Sequence, residues 1–536
     1  MKKRIIAAFI LVVFLVTGLF LSSNYRGAEA ASSKQVFTYI NGAEPRYLDP
    51  ALNTAADAAN IIINVFEGLT RVNVKGETVP GMAEKWTVSK DGLTYTFYIR
   101  KNAKWSDGKP VTAYDFEYAW KRALDPKTAS EYAYQLYYIK NGQKFNEGKA
   151  KASDVGVKAL NATTLQVTLE APTPYFLELT NFPTYFPVRK DIIEKYGDKW
   201  ATDPKTYIGN GPFIMTKWVH NSYIEFKKNP KYWDAKSITL EKIVYKLSED
   251  DKANLLAYEA GQVDGAESVP TDEIPRLIKE KKLKIWPLLG TYYYDVNCKV
   301  KPFNDKRVRQ ALSLAIDRTY IVENIGKLGQ KPATGFVPYG IKGISKDFRN
   351  ESGHFLPVKA DLAKAKKLLA EAGYPNGKGF PEIEIIYNTS EGHKKIAEAI
   401  QNMWQQLGIK VKLSNMDWKV LLERRHKKDY MVARDGWLGD YVDPMTFLDL
   451  FTSYSDNNNT NWSNPKYDEL VIKAKKTSDR KQRMQYMMQA EKILMQDYAI
   501  IPIYFYVKGH VLRDYVKNYY ISPLGFNYFM YAKIEK

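Results

Sequence analysis

Apolar and polar residues alternate at three places in the first half of the chain. LTYTFYIR (93–100) puts Leu93, Tyr95, Phe97 and Ile99 on one face; TLQVTL (164–169) does so with Leu165, Val167 and Leu169, and KIVYKL (242–247) with Ile243, Tyr245 and Leu247. A period of two is the spacing of a β-strand with one buried face, so the pattern predicts half-buried strands of a mixed sheet. Between 305 and 500 helical spacing dominates. VRQALSLAI lines up Val308, Ala311, Leu312, Ala315 and Ile316 on one stripe. ADLAKAKKLLAEAGYP predicts a helix that Gly373 ends through a left-handed cap, with Pro375 preventing its resumption. KKIAEAIQNMWQQLGIKVKL reads as helix, glycine, strand: Gly408 stops the helix, and Ile409, Val411 and Leu413 alternate. That is an α/β unit feeding a layered sheet.

The 536 residues are too many for one hydrophobic core and imply two or three domains. No internal repeat and no low-complexity linker separates them. If 30–290 and 300–505 form separate lobes, they join through short structured segments such as TYYYDVN (291–297) and IPIYFYVKGH (501–510). Two lobes joined by short strands make a hinge, and the cleft between them is a favoured ligand location.

The N-terminus carries an address. Lys2, Lys3 and Arg4 precede IIAAFILVVFLVTGLFL, seventeen mostly apolar residues from Ile5 to Leu21, and Ala28-Glu29-Ala30 has the small-x-small pattern of a signal peptidase site. Cleavage after Ala30 is expected, making 1–30 a signal peptide. The alternative is an uncleaved anchor, since the apolar run lies at the lower edge of a spanning helix. The remainder is expected outside the cytoplasm, in a periplasm or at the outer face of the membrane.

Composition narrows the chemistry. The chain is 45% hydrophobic and 26% charged, as soluble proteins are. Its 39 Tyr and 11 Trp suit binding clefts as well as cores. A net charge of +19 makes nucleic acid a partner to consider. The lysines, however, are dispersed among acids on helically spaced segments (279–284, 364–367, 473–476), which reads as solvated faces, and no nucleic-acid partner is expected. Cys298 is the only cysteine, so no intramolecular disulfide forms. The five histidines, His220, His354, His393, His426 and His510, show no metal-ligand spacing, and there is no GxSxG elbow. GNGPF (209–213) lacks the lysine of a phosphate loop and reads as a glycine turn entering a strand. Neither catalysis nor a metal or other cofactor is expected.

GWLGDYVDP (436–444) sets Asp440 between Trp437 and Tyr441. The stretch reads either as a turn before a helix or as an acid placed for a cationic ligand. Longer strings decide the context. Residues 82–116, MAEKWTVSKDGLTYTFYIRKNAKWSDGKPVTAYDF, resemble the signature block of the extracytoplasmic solute-binding proteins of oligopeptide and dipeptide ABC importers. The resemblance continues through EYAWKRALDP (117–126), YIGNGPFIMTKW (207–218), KNPKYWD (228–234), KPFNDKRVRQALSLAIDR (301–318), NWSNPKYDELVIKAKK (461–476) and IIPIYFY (500–506).

This resemblance implies an α/β, two-lobed, type II periplasmic-binding-protein-like fold of three domains with an inter-lobe cleft. Domain I would comprise 34–66, 190–296 and 508–536, domain II 67–189 and domain III 297–507. The implied function is a non-enzymatic receptor that captures short peptides and delivers them to a membrane-embedded ABC permease with cytoplasmic ATPase subunits. RDGWLGDY (434–441) matches the family segment whose aspartate, here Asp440, receives the peptide α-ammonium. Trp437 matches a tryptophan beside the ligand, Arg434 an arginine able to meet a peptide carboxylate, and Tyr132 a cleft-lining tyrosine; Thr54, Ala55 and Ala56 match an edge that pairs with the peptide backbone. The region before residue 30 lacks the lipobox cysteine that many relatives carry. A monomer is expected. The other readings are the same fold holding a nickel complex, haem or oligosaccharide, and a secreted hydrolase or chaperone-like peptide binder.

Overall fold

The computed structural model describes residues 35–536, and the signal peptide expected at 1–30 lies outside the described residues. Two sheets carry the architecture. The larger is mixed and has eleven strands among the described residues. Its path runs Val411–Met416, Ile383–Asn388, Val432–Leu438, Leu283–Val296, Ile500–Leu512, Gly265–Ala266, Val36–Ile40, Lys242–Lys246, Tyr223–Lys228 and Phe213–Val219, with Lys331–Pro332 paired off this path. The smaller sheet has four strands, Ala83–Val88, Thr94–Ile99, Thr164–Thr168 and Val157–Asn161, all antiparallel.

The three alternating stretches all form strands, but not in one mixed sheet. Thr94–Ile99 and Thr164–Thr168 pair with each other in the antiparallel sheet, and only Lys242–Lys246 joins the mixed one. Alternation reports one buried face and says nothing about which strand lies alongside. The helical readings hold. Helix Lys306–Leu314 starts where the Asp305 carboxylate accepts from the Arg307 N–H. Helix Leu362–Glu371 ends before Gly373, whose φ of +95° suits a residue without a Cβ. Helix Glu391–Gln405 is capped by Ser390 and leads through Gly408, at φ +79°, into Val411–Met416. GNGPF is a turn: Gly209 and Gly211 lie against the Val65 backbone, where a Cβ on Gly211 would stand 2.6 Å from the Val65 carbonyl carbon, and Phe213 opens a strand.

Two long antiparallel strands, Leu283–Val296 and Ile500–Leu512, join the two halves of the large sheet. Their register breaks between Pro287 and Thr291. Before the break, Leu283–Pro287 pairs with residues 507–511, and Val511 and Leu512 pair on the other edge with Ala266 and Gly265. Beyond it, Thr291–Asp295 pairs with residues 500–505 and with Val432–Leu438. The same two strands thus belong to both lobes and contain both candidate hinge segments. The lobes also meet away from the hinge. Tyr175 stacks on Tyr441 with centroids 4.5 Å apart, the Tyr138 and Tyr441 hydroxyls are 3.1 Å apart, and the Val442 N–H donates to Glu178 at 3.1 Å. The cleft is closed. No helix of the described residues is long and apolar enough to cross a membrane.

Candidate functional site

A cavity of about 270 Å³ lies between the lobes. Thr54, Ala55, Ala56, Tyr132, Arg434, Trp437 and Asp440 all line it. One wall is the strand Val432–Leu438, fixed by pairing with Thr291–Val296 on one edge and with Ile385 and Ile386 on the other. The pairing continues one residue past the strand, where the Gly439 N–H donates to the Leu289 carbonyl at 2.8 Å, so Asp440 projects from a held backbone. Its own N–H donates to Thr446 Oγ1 at 2.9 Å. Thr54 and Ala55 lead into helix Ala56–Val65 on the opposite lobe, with the Asn53 carboxamide accepting from the Ala55 N–H. Phe182, Leu524 and Phe526 add apolar surface.

The charges decide what the cavity can hold. Three acids line it, Glu131, Asp435 and Asp440. Glu131 meets Arg46 at 3.2 Å and His426 at 3.4 Å, and Asp435 is paired with Arg425. Asp440 is 6% exposed and, among the described residues, has no cationic partner. Its carboxylate accepts from the Tyr132 hydroxyl at 3.2 Å and from Gln135 Nε2 at 2.5 Å. Burial without a countercharge pushes its carboxyl well above the usual carboxylate range. Three bases line the same space, Arg425, His426 and Arg434. The first two have the acids just named, whereas Arg434 has no ion pair among the described residues. It donates to the Tyr506 hydroxyl at 2.9 Å and lies 4.9 Å over the Tyr292 ring. The cavity therefore offers one acid and one base that lack a countercharge among the described residues. Such groups are costly to ionise alone, and a ligand carrying the opposite charges would stabilise their charged forms.

Unpartnered polar atoms point the same way. Trp437 Nε1 and Arg434 Nε are buried with no hydrogen-bond partner among the described residues, as expected of groups that await ligand acceptors. The second acid of GWLGDYVDP is different: Asp443 holds Arg483 at 2.7 and 2.8 Å and caps the Met445 N–H, a structural role. The sequence reading missed Glu131, Arg425, His426, Asp435 and Tyr506 as lining residues, and Gln135 behind Asp440. Glu131 and Gln135 flank Tyr132 within ASEYAYQL; Asp435 sits inside RDGWLGDY. Their neighbourhood was the available signal. His393, behind Arg434, accepts from or donates to Tyr292 at 3.2 Å and is kept neutral by burial and by the arginine. No group of three or more metal-ligating side chains occurs among the described residues.

Comparison with known proteins places this geometry in context. Residues 77–459 match the family model of bacterial extracellular solute-binding proteins, family 5. The oligopeptide-binding protein OppA of Bacillus subtilis is 41% identical over 519 residues, covering 95% of this chain and 94% of that protein. The crystal structure of Haemophilus influenzae OppA in complex with RPPGFSPFR superposes with a TM-score of 0.89 at 35% identity, over 94% of this chain and 100% of that one. The Escherichia coli murein tripeptide binding protein MppA gives two values. One structure superposes with a TM-score of 0.88 at 37% identity, over 94% of this chain and 99% of that one; a structure described as the unliganded open form of MppA gives 0.61 at 38% identity, over 94% and 98%. The described arrangement is thus unlike that open form.

Proposed function

The chain belongs to the bacterial extracellular solute-binding proteins, family 5, and on that premise we propose that it is a receptor for short peptides that delivers them to an ABC permease. The peptide lies in the closed cleft with its α-ammonium at Asp440 and its carboxylate toward Arg434. One observation carries this reading: of the six ionisable groups lining the cavity, the two without an oppositely charged partner among the described residues are one acid and one base. A free peptide is a zwitterion with its charges at its two ends. Asp440 and Arg434 are six positions apart, so at the rise of an extended strand their backbones are separated by at most about 20 Å, and both side chains reach inward. A chain of a few residues spans that gap, at about 3.3–3.6 Å per residue.

The amine bond is charge-assisted and, with water excluded, much less screened than at a surface. Trp437 Nε1 and the Thr54–Ala56 edge supply contacts to the peptide main chain, which every sequence shares; affinity with broad side-chain tolerance follows. Nickel complexes, haem and oligosaccharides carry no ammonium for Asp440. The division into domains I, II and III at the boundaries given above belongs to the same proposal, supported by the two strands that cross between lobes, as does export with cleavage after Ala30. Purification without refolding, followed by mass spectrometry of released ligands, tests the reading. Intact short peptides with free amines are expected; a metal complex, haem, a glycan or only trimmed peptide products would contradict it.

A further inference from the structure

Two of the three side chains that bond the Asp440 carboxyl, Tyr132 and Gln135, come from the other lobe; the third, Thr446, lies on its own. Tyr132 and Gln135 belong to the turn at 132–136 beside the antiparallel sheet, whereas Asp440 follows the strand Val432–Leu438. Tyr132 lines the cavity; Gln135 does not. Gln135 is 1% exposed, and its backbone is fixed at both ends: its N–H donates to the Tyr132 carbonyl at 3.0 Å, and its carbonyl accepts from the Tyr185 hydroxyl at 2.5 Å. Among the described residues its Nε2 has one partner, Asp440, and its Oε1 has none. A buried amide kept half-satisfied costs stability. Placing one in the core behind the unneutralised acid makes sense if the bond it makes matters when the lobes meet. The residue after Asp440 is wedged into the same lobe: Tyr441 stacks on Tyr175 and meets Tyr138.

An ionised carboxylate in an open cleft is hydrated. Closing the lobes strips that water, and the carboxylate needs donors to replace it. We infer that Gln135 is a positioning residue that ties amine capture to lobe closure, by donating across the cleft to the carboxylate oxygen of Asp440 that Tyr132 does not hold. The ligand ammonium completes the shell from the cavity side, so the same acid binds the peptide and fastens the lobes. This inference rests on the peptide reading and adds a residue that the ligand never touches.

Two near-isosteric variants test it. The probe is a pool of free-amine tri- to pentapeptides, with Kd measured for its tightest member and expressed relative to wild type at each pH. Gln135→Met keeps the volume and removes the donor; a loss of about ten- to a hundredfold, constant with pH, is expected for a missing bond to a charged group. Gln135→Glu sets a second carboxylate against Asp440, so one of the two must hold a proton. Its relative affinity is expected to be poor at about pH 8.5 or 9 and to recover toward wild type near pH 5.5, where a protonated Glu can donate as the amide did. A purely structural role would not produce that recovery, which also shows that the variant folds. If Gln135→Met binds as wild type does, or if the Gln135→Glu ratio does not move with pH, the inference is overturned while the peptide reading stands. If wild type itself captures no free-amine peptide, both fall.

Discussion

At the scale of single residues the account turns on which charges are already spent. Asp435 and Asp443 sit within a few positions of Asp440, yet Arg425 and Arg483 neutralise them. Arg434 is the matching cation, and its role has its own test. Amidating a peptide's C-terminus removes the negative charge proposed to face Arg434, so wild type should bind the amide more weakly than the free acid by about tenfold or more. Arg434→Met should lose affinity for the free acid and discriminate little between the two forms, as calorimetry with the paired peptides would show. Equal discrimination by both proteins would remove Arg434 from the site. Asp440, Trp437, Arg434 and Tyr132 were legible because each lies in a string whose residues resemble a family block. That Asp440 alone among the lining acids is free was not legible. Its reason is spatial: Arg425 lies ten residues before Asp435, Arg46 lies far upstream of Glu131, and Gln135 reaches Asp440 across 305 positions.

At the scale of elements, two strands and a rim network govern closure. Gly290 lies at the register break of the crossing strand, opposite Leu438. A Cβ there would stand 2.5 Å from Leu438 Cδ2, 2.7 Å from the Trp437 carbonyl oxygen and 3.0 Å from Tyr506 Cδ2. Gly290→Ala must therefore push the site strand or Tyr506 aside. A loss of about 1–3 kcal/mol in unfolding free energy is expected from such overpacking, with weaker peptide binding, measured by denaturant melts and calorimetry. A thermally neutral variant with native affinity would show that the close approach is not required.

The rim offers a pH-dependent contact. Arg46 bridges Glu131 on one lobe and Glu423 on the other, at 3.2 and 2.9 Å, and His426 faces the same Glu131 with Glu423 and Asp456 nearby. The hydrogen bond to Glu131 raises the His426 pKa above the ordinary 6.5. A raised value means that the closed state binds the proton more tightly. Its contribution is fully present below the ordinary value and is lost as pH rises through the raised one. The imidazole is nearly half exposed, so less than about 1 kcal/mol is involved. The ratio of wild-type to His426→Gln affinity should fall modestly as pH rises from about 6 to 8; a flat ratio would take His426 out of closure. These cross-lobe contacts left no mark in the hydrophobic pattern. Helices and strands did, since a period of 3.6 or 2 needs only the local chain. The pairing of 94–99 with 164–168 in a separate antiparallel sheet did not, since strand partners are chosen by the whole fold.

At the scale of the molecule, two lobes share two strands, close on a small cavity and leave one acid and one base for whatever is inside. Two structures of MppA superpose on this one at TM-scores of 0.88 and, for an unliganded open form, 0.61, so this fold occurs in two lobe arrangements. If this chain also opens, a ligand can favour the closed arrangement only through groups that interact differently in the two states. The proposed contact between the guest's ammonium and the Asp440 carboxylate, dehydrated on closure, would be such an interaction. Calorimetric titration of wild type with one short peptide and its N-acetylated counterpart tests this most directly. The account predicts that acetylation weakens binding by about thirtyfold or more, the cost of leaving a buried charge unpaired. Equal affinity for the two would contradict it.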